Sequence, residues 1–158
     1  MAGSRSYDFE SEWLIPAAPD AVWRAILGIG RSEQVWPGVT IGMPSVPVVG
    51  DDVPIDVRSG VGYRLRLVAR LTAVEPARRL AAEASGDLAG RGEARLAAAG
   101  PNATLVVVDW STTTERPWMN ALGGPLGPLF RIAHERVMRA GERALVDAVR
   151  DRPADTPE

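Results

Sequence analysis

The sequence predicts an α+β domain in which a curved antiparallel sheet wraps around one long C-terminal helix. Three observations carry that prediction. Apolar and charged residues alternate through "GYRLRLVARLTAVEP" (62–76), the period of a strand with one buried face. Strand-like segments follow one another from there to residue 115 with no helical segment between them, which leaves an antiparallel meander. The stretch "LFRIAHERVMRAGERALVDAVR" (129–150) repeats its apolar residues at helical spacing. A helix of about 23 residues, roughly 34 Å long, is the one element able to cover the apolar face of the sheet. The sheet therefore has to bend around it.

Each element has its own signal. "YDFESEWLI" (7–15) sends Phe9, Ser11, Trp13 and Ile15 one way and Asp8, Glu10 and Glu12 the other, a strand with one wet face. "PAAPDAVWRAIL" (16–27) opens with proline and an acid, then sets Val22, Trp23, Ile26 and Leu27 at helical spacing, as a helix start requires. "GIGRSEQVWPG" (28–38) reads as a break, a second short helix and a turn. Prolines 44 and 47 and glycines 42 and 50 limit any strand between Val39 and Asp52 to an edge or bulged one. "VPIDV" (53–57) is a short strand. In the long alternating segment Tyr63, Leu65, Leu67, Ala69, Leu71 and Ala73 form the inner face, with Arg64, Arg66, Arg70 and Thr72 outside. "RRLAAEAS" (78–85) and "GEARLAA" (92–98) are strands split by the turn "GDLAG" (86–90), and "TLVVVDWSTTTE" (104–115) is a long strand. "RPWMNALGGPLGP" (116–128) is broken by prolines and glycines and precedes the last helix. The count is about six to seven strands with two short helices after the first. Residues 1–150 form a single domain and 151–158 a disordered tail.

Composition removes more chemistry than it adds. The chain has 158 residues, 46% hydrophobic and 24% charged, ordinary for one globular domain. Cysteine is absent and all 18 basic residues are arginine. Disulfides, thiol nucleophiles and Schiff-base lysines are thereby excluded. One histidine cannot build a multi-histidine metal site, and no metal or cofactor is implied. A net charge of -2 gives no basic field to draw nucleic acid. The polar start "MAGSRSYDFE" lacks a signal-peptide core, and no window approaches the ~18–20 apolar residues of a membrane span. These features predict a cytoplasmic protein without stable membrane insertion, and the arginine-only, alanine-rich usage suggests a GC-rich bacterial genome. Oligomeric state is left open. "GIG" and "GVG" lack the strand–loop–helix setting of a phosphate loop. No inward pair of carboxylates appears, which disfavours glycosidase-like acid/base work.

Several segments together resemble the START-like, Bet v 1-like superfamily (SRPBCC) with its helix-grip fold. Within it, the chain looks like the bacterial polyketide cyclase/dehydrase and lipid transport group. The segments are "IPAAPDAVW" (15–23), "VWPGV" (35–39), "VEPARRL" (74–80), "GDLAGRGEARL" (86–96), "TLVVVDW" (104–110), and "RPWMN" (116–120) followed by "HERVMRAGERAL" (134–145). The resemblance covers residues 6–150 and implies a cavity between sheet and helix that holds a lipid, sterol or polyketide. Catalysis occurs in some members only, on residues that differ between groups. Relatives resemble one another in carrying a bulkier, aromatic residue where this chain has Ala94, which implies a wider hollow here.

The candidate site residues follow from the helix. At 100° per residue Leu126, Phe130, Ala133, His134, Val137, Gly141, Ala144, Leu145 and Ala148 share a sector of about 120°. His134, the only histidine, lies near its centre with Phe130 and Met138 one turn away on either side. It is a core histidine bonded to a carbonyl or strand hydroxyl, a polar group bonding a ligand oxygen, or a general acid/base. Burial should keep it neutral in each case. The small residues of this face predict open space towards Phe130–Met138 and close contact nearer the C-terminus. Trp13, Trp110 and Thr112, with Trp36 and Trp118 near loops where the mouth of a hollow would lie, are candidate lining residues that core packing explains as well. Tyr63, with Leu65 and Leu67, completes the expected ligand-binding set. The chemistry points first to a binder of a hydrophobic small molecule (lipid, polyketide or aromatic). The rival is an aromatase, cyclase or dehydratase with His134 as acid/base and Tyr63 as a donor to a carbonyl. A third reading, a chaperone-like module using its outer strands, sits poorly with the charged outer faces.

Overall fold

The computed structural model describes residues 5–31, 34–59, 62–114 and 117–151, with the side chains of 6–31, 34–59, 62–113 and 131–151. Seven strands form one antiparallel sheet in the order β1-β7-β6-β5-β4-β3-β2. They are β1 (Arg5–Ile15), β2 (Val39–Ile41), β3 (Asp52–Arg58), β4 (Arg64–Glu75), β5 (Arg79–Gly86), β6 (Ala89–Ala98) and β7 (Thr104–Thr114). Helix α1 (Pro19–Ile29) follows β1, and α2 (Pro117–Arg150) closes the chain. The sheet curls into a half-barrel around α2, the helix-grip arrangement. No helix among the described residues is long and apolar enough to cross a membrane.

Strand parity decides the faces. In β4, Leu65, Leu67, Ala69 and Leu71 are buried while Arg64, Arg66, Val68 and Arg70 are exposed. The register then shifts between Leu71 and Ala73. That bulge turns Val74 into the core, where it packs with the clusters around Leu71 and Leu145. The inner face expected to run on to Ala73 therefore ends at Leu71, because one extra residue reverses the parity. The outer face is a lattice of charges. Arg70 meets Asp52 at 2.9 Å, Arg95 meets Asp109 at 2.6 Å and Arg79 meets Glu93 at 3.1 Å. Arg64 pairs with Asp56. Arg95 also reaches Glu93 at 3.6 Å, separating two carboxylates that stand opposite each other in the β6–β7 register. Such exposed pairs are screened by water and add little to stability.

Two elements differ from the sequence reading. Among the described residues 34–38 form turns and a bend, so α1 is the one short helix after β1 where the sequence reading expected two. Gly38 has φ +80 and a Cβ there would lie 2.5 Å from the Arg58 carbonyl. The Arg58 amide in turn donates to the Gly38 carbonyl at 2.7 Å. Tying "WPG" to the end of β3 in this way is incompatible with helical backbone. Helix α2 begins at Pro117 and runs 34 residues to Arg150, rather than starting near Leu126–Leu129. Pro117 sits at the helix start, where its missing N–H costs nothing, whereas prolines 125 and 128 each remove one i→i−4 hydrogen bond from the helix they lie in.

The core divides along the helix. Trp13, Ile15, Val22, Trp23, Leu96, Val106 and Leu145 form a solid cluster between α1, the sheet and the C-terminal half of α2. Leu65, Leu67 and Ala84 form a second cluster with Ile55, Val57, Tyr63, Leu88 and Trp110. The small residues of β5 and β6 separate the two regimes. Ala82 stands opposite Gly92, Ala84 opposite Gly90 and Leu80 opposite Ala94.

Candidate ligand cavity

Between the sheet and α2 lies a cavity of about 290 Å³. Its walls come from β1, β3, β4, β7, the 34–41 segment and α2. Among the described residues of α2, Ala133, His134, Val137 and Met138 face it. One turn further on, Gly141, Ala144 and Leu145 are buried in solid packing. The change from hollow to contact has a local cause. Gly141 has no side chain, and a Cβ there would lie 2.6 Å from the Trp36 ring and 3.2 Å from that of Trp13. Trp36 fills this notch, donating its indole N–H to the Val137 carbonyl at 2.9 Å and meeting Trp13 edge-on at 6.3 Å. The helix is thus pinned over the sheet at Gly141, and Trp36 forms one wall of the void.

Opposite, Trp110 lies flat on the sheet. A Cβ on Gly92 would be 2.2 Å from two atoms of its ring, so glycine is what lets the indole lie down. Leu88 is held at the rim by the β5–β6 turn. Gly86 takes φ +115, the Asp87 amide donates to the Arg66 carbonyl at 3.0 Å, and the Asp87 carboxylate accepts from the Arg66 amide at 2.9 Å.

Of the residues singled out in the sequence, Tyr63, Leu65, Leu67, Trp110, Thr112, His134 and Met138 line the cavity. Trp13 does not: it is 5% exposed within the solid cluster, at the end where helix and sheet touch. Ala94 is not among the lining residues either, although it stands opposite Val108, which is. The side chains of Trp118 and Phe130 lie outside the described residues. Tyr7, Phe9, Trp36, Ile55, Val57 and Leu88 complete much of the wall. Tyr7 and Phe9 were within reach of the sequence, because the alternation that turns Trp13 inward runs back to both. The β3 residues were not, since their inward facing depends on pairing with β4.

Electrostatically the cavity is quiet. Among the described residues no carboxylate or guanidinium lines it, and its titratable groups are Tyr7, Tyr63 and His134. Burial holds the His134 imidazole below its ordinary value, with the Glu135 charge opposing this only in part, so the ring is neutral at pH 7. The imidazole lies on the Phe9 ring at 3.9 Å and 19°. Burial raises the Tyr63 phenol, and its bond to Ser59 works the other way. Among the described residues no three His, Asp or Glu side chains gather where they could hold a metal ion. The arrangement can enclose an apolar body, offer it flat aromatic walls and place a neutral imidazole and two phenols against it.

The family described as polyketide cyclase / dehydrase and lipid transport matches residues 7–150. Among solved structures, the Zhui aromatase/cyclase from Streptomyces sp. R1128 superposes with a TM-score of 0.73 at 15% identity, over 96% of this chain and 98% of that one. A protein from Thermus thermophilus gives 0.75 at 17% identity, over 90% and 97%. Norcoclaurine synthase from Thalictrum flavum, in complex with dopamine and hydroxybenzaldehyde, gives 0.62 at 12% identity, over 96% and 91%. At these identities the likeness is one of fold. No curated protein matches the chain.

Proposed function

The chain belongs to the polyketide cyclase/dehydrase and lipid transport family, and on that premise we propose that it binds a hydrophobic small molecule between the curved sheet and α2. The observation that carries this reading is the 290 Å³ void with its nearly all-apolar wall. Folded interiors are otherwise packed at crystal density with few voids larger than a water molecule. Pockets that hold small molecules share this character, apolar surface with a few placed polar groups. Lipids, polyketides and free aromatics fall in the class. Denaturing mass spectrometry of the purified protein tests it directly. One family of apolar molecules released in near-equimolar amount is the expected result. Protein that releases nothing and takes up no apolar probe contradicts the reading.

A second reading draws on the neutral imidazole beside the void. In an aromatase, cyclase or dehydratase acting on a cyclic or polyketide-like substrate, His134 would take up and return a proton while the Tyr63 hydroxyl donates to a carbonyl. Loss of turnover in His134→Ala with binding retained would separate this enzyme from a carrier.

A further inference from the structure

The outer face of the sheet is ion-paired over most of its width and apolar at one corner. Among the described residues its ion pairs all lie on β3 to β7, and none reaches Glu10 or Glu12 of β1. Beside those acids stands Leu14, 61% exposed although it belongs to a strand. Strand register joins it to a patch. Leu14 is opposite Leu105, and Leu105 is opposite Ala97. One row on, Glu12 is opposite Val107, and Val107 is opposite Arg95. These residues point away from α2, because those that alternate with them, Trp13, Val106 and Leu96, are buried in the core. Leu105 and Val107 are only half-buried. Apolar surface gathered in this way on an otherwise charged face marks a contact.

The charges beside the patch select its partner. On this face β1 is acidic through Asp8, Glu10 and Glu12, whereas β6 carries Arg91 and Arg95. The face is therefore polarised about β7. A two-fold axis along β7, lying between two such faces, exchanges β1 with β6. It sets Glu12 of one protomer over Arg95 of its partner, and the reverse by symmetry. It also sets Leu14 over Ala97, with Leu105 and Val107 on their own counterparts. Arg95 is shared between Asp109 and Glu93 of its own chain, yet its side chain remains half exposed and can take a further carboxylate. Facing sheets stand about 10 Å apart, a gap that an arginine and a glutamate bridge together. A two-fold running across the strands would instead lay β1 on β1 and set acid against acid. The next row, Glu10, Asp109 and Glu93, is acidic on all three strands and ends the contact on that side.

We propose that this corner is the contact surface for a second copy of the chain, a two-fold dimer with Leu14, Leu105 and Val107 at its centre and Glu12–Arg95 pairs on its flanks. Two rows of three strands make a smaller surface than the roughly 800 Å² per partner of a standard stable interface. The dimer is accordingly weak and reversible.

Sedimentation equilibrium of the full chain from about 10 μM to about 1 mM, the range of weak association, tests this. The average mass should climb from monomer towards dimer. Leu14→Asp should weaken association at least about tenfold. Glu12→Arg and Arg95→Glu should each do the same alone, because like charges then meet across the axis. An equimolar mixture of those two variants should dimerise again, since both cross-contacts regain an opposite pair. A chain that is monomeric at the highest concentration overturns the proposal, whether the corner is bare or meets a different protein. A dimer that survives Leu14→Asp or Glu12→Arg, or a mixture that shows no rescue, overturns it as well. If Arg95→Glu fails to fold, amide NMR of the unaltered protein on dilution decides. Shifts centred on residues 12–14, 95–97 and 105–107 support the dimer, and shifts centred elsewhere, or none, overturn it.

Discussion

Gly141→Ala changes one hydrogen to a methyl group at the place where α2 closes on the sheet. In an exposed helix this substitution stabilises by about 1 kcal/mol, because alanine is the better helix former. Here the added Cβ would sit 2.6 Å from the Trp36 ring and 3.2 Å from Trp13, well inside van der Waals contact. The indole has to move, and it takes with it the 2.9 Å bond from its N–H to the Val137 carbonyl. Losing that bond costs about 1 kcal/mol, and overpacking a filled site typically costs about 1–3 kcal/mol. Set against the helical gain, a net destabilisation of roughly 1–3 kcal/mol remains. For a chain of this length that lowers Tm by roughly 3–10 °C. Thermal unfolding followed by near-ultraviolet circular dichroism reads both the loss of stability and the changed Trp13–Trp36 geometry. A Tm that rises, with an unchanged aromatic spectrum, would refute the packing of α2 on Trp36.

Two further predictions concern the cavity walls. Gly92→Ala puts a Cβ 2.2 Å from the Trp110 ring, so the indole should lift from the sheet into the void. Stability should fall by about 1–3 kcal/mol and ligand capacity should drop, and an unaltered tryptophan emission spectrum would contradict this. His134 has its folded-state value depressed below 6.5 by burial, so the unfolded chain binds its proton more readily than the folded one. Its contribution is fully present above pH 6.5 and is lost as the pH falls from there through the depressed value, by at most about 1.4 kcal/mol per pH unit. Urea denaturation between pH 5 and 8 should show that slope in the unaltered protein and a flatter profile in His134→Gln, whereas identical profiles would place His134 in water.

Much of the fold could be read from local pattern. Alternation in β1, β4 and β7 assigns inner and outer faces because side-chain direction along a strand depends on parity alone. The same rule put Arg64, Arg70, Glu83 and Asp109 outside, where they form ion pairs. What escaped was set by pairing across strands. The bulge after Leu71 appears in the sequence only as a run of alanine, valine and threonine, yet it reverses which of Ala73 and Val74 faces the core. Trp36 gave no local sign that it would fill the notch at Gly141, since the two are 105 positions apart. Trp13 shared the correct face with Phe9, but position along β1 decides between solid core and void, and parity carries no information about depth.

The most direct test of a hollow that accepts an uncharged apolar guest is to fill it. Ala133 is 5% exposed and stands on the α2 wall of the cavity, so Ala133→Phe introduces a ring into the void. Titration with 1-aminoanthracene, an uncharged three-ring fluorophore, should give saturable one-to-one binding to the unaltered protein. The same titration should give none with Ala133→Phe, whose thermal unfolding should remain cooperative. Equal binding by both proteins, or by neither, would contradict a guest held between sheet and helix.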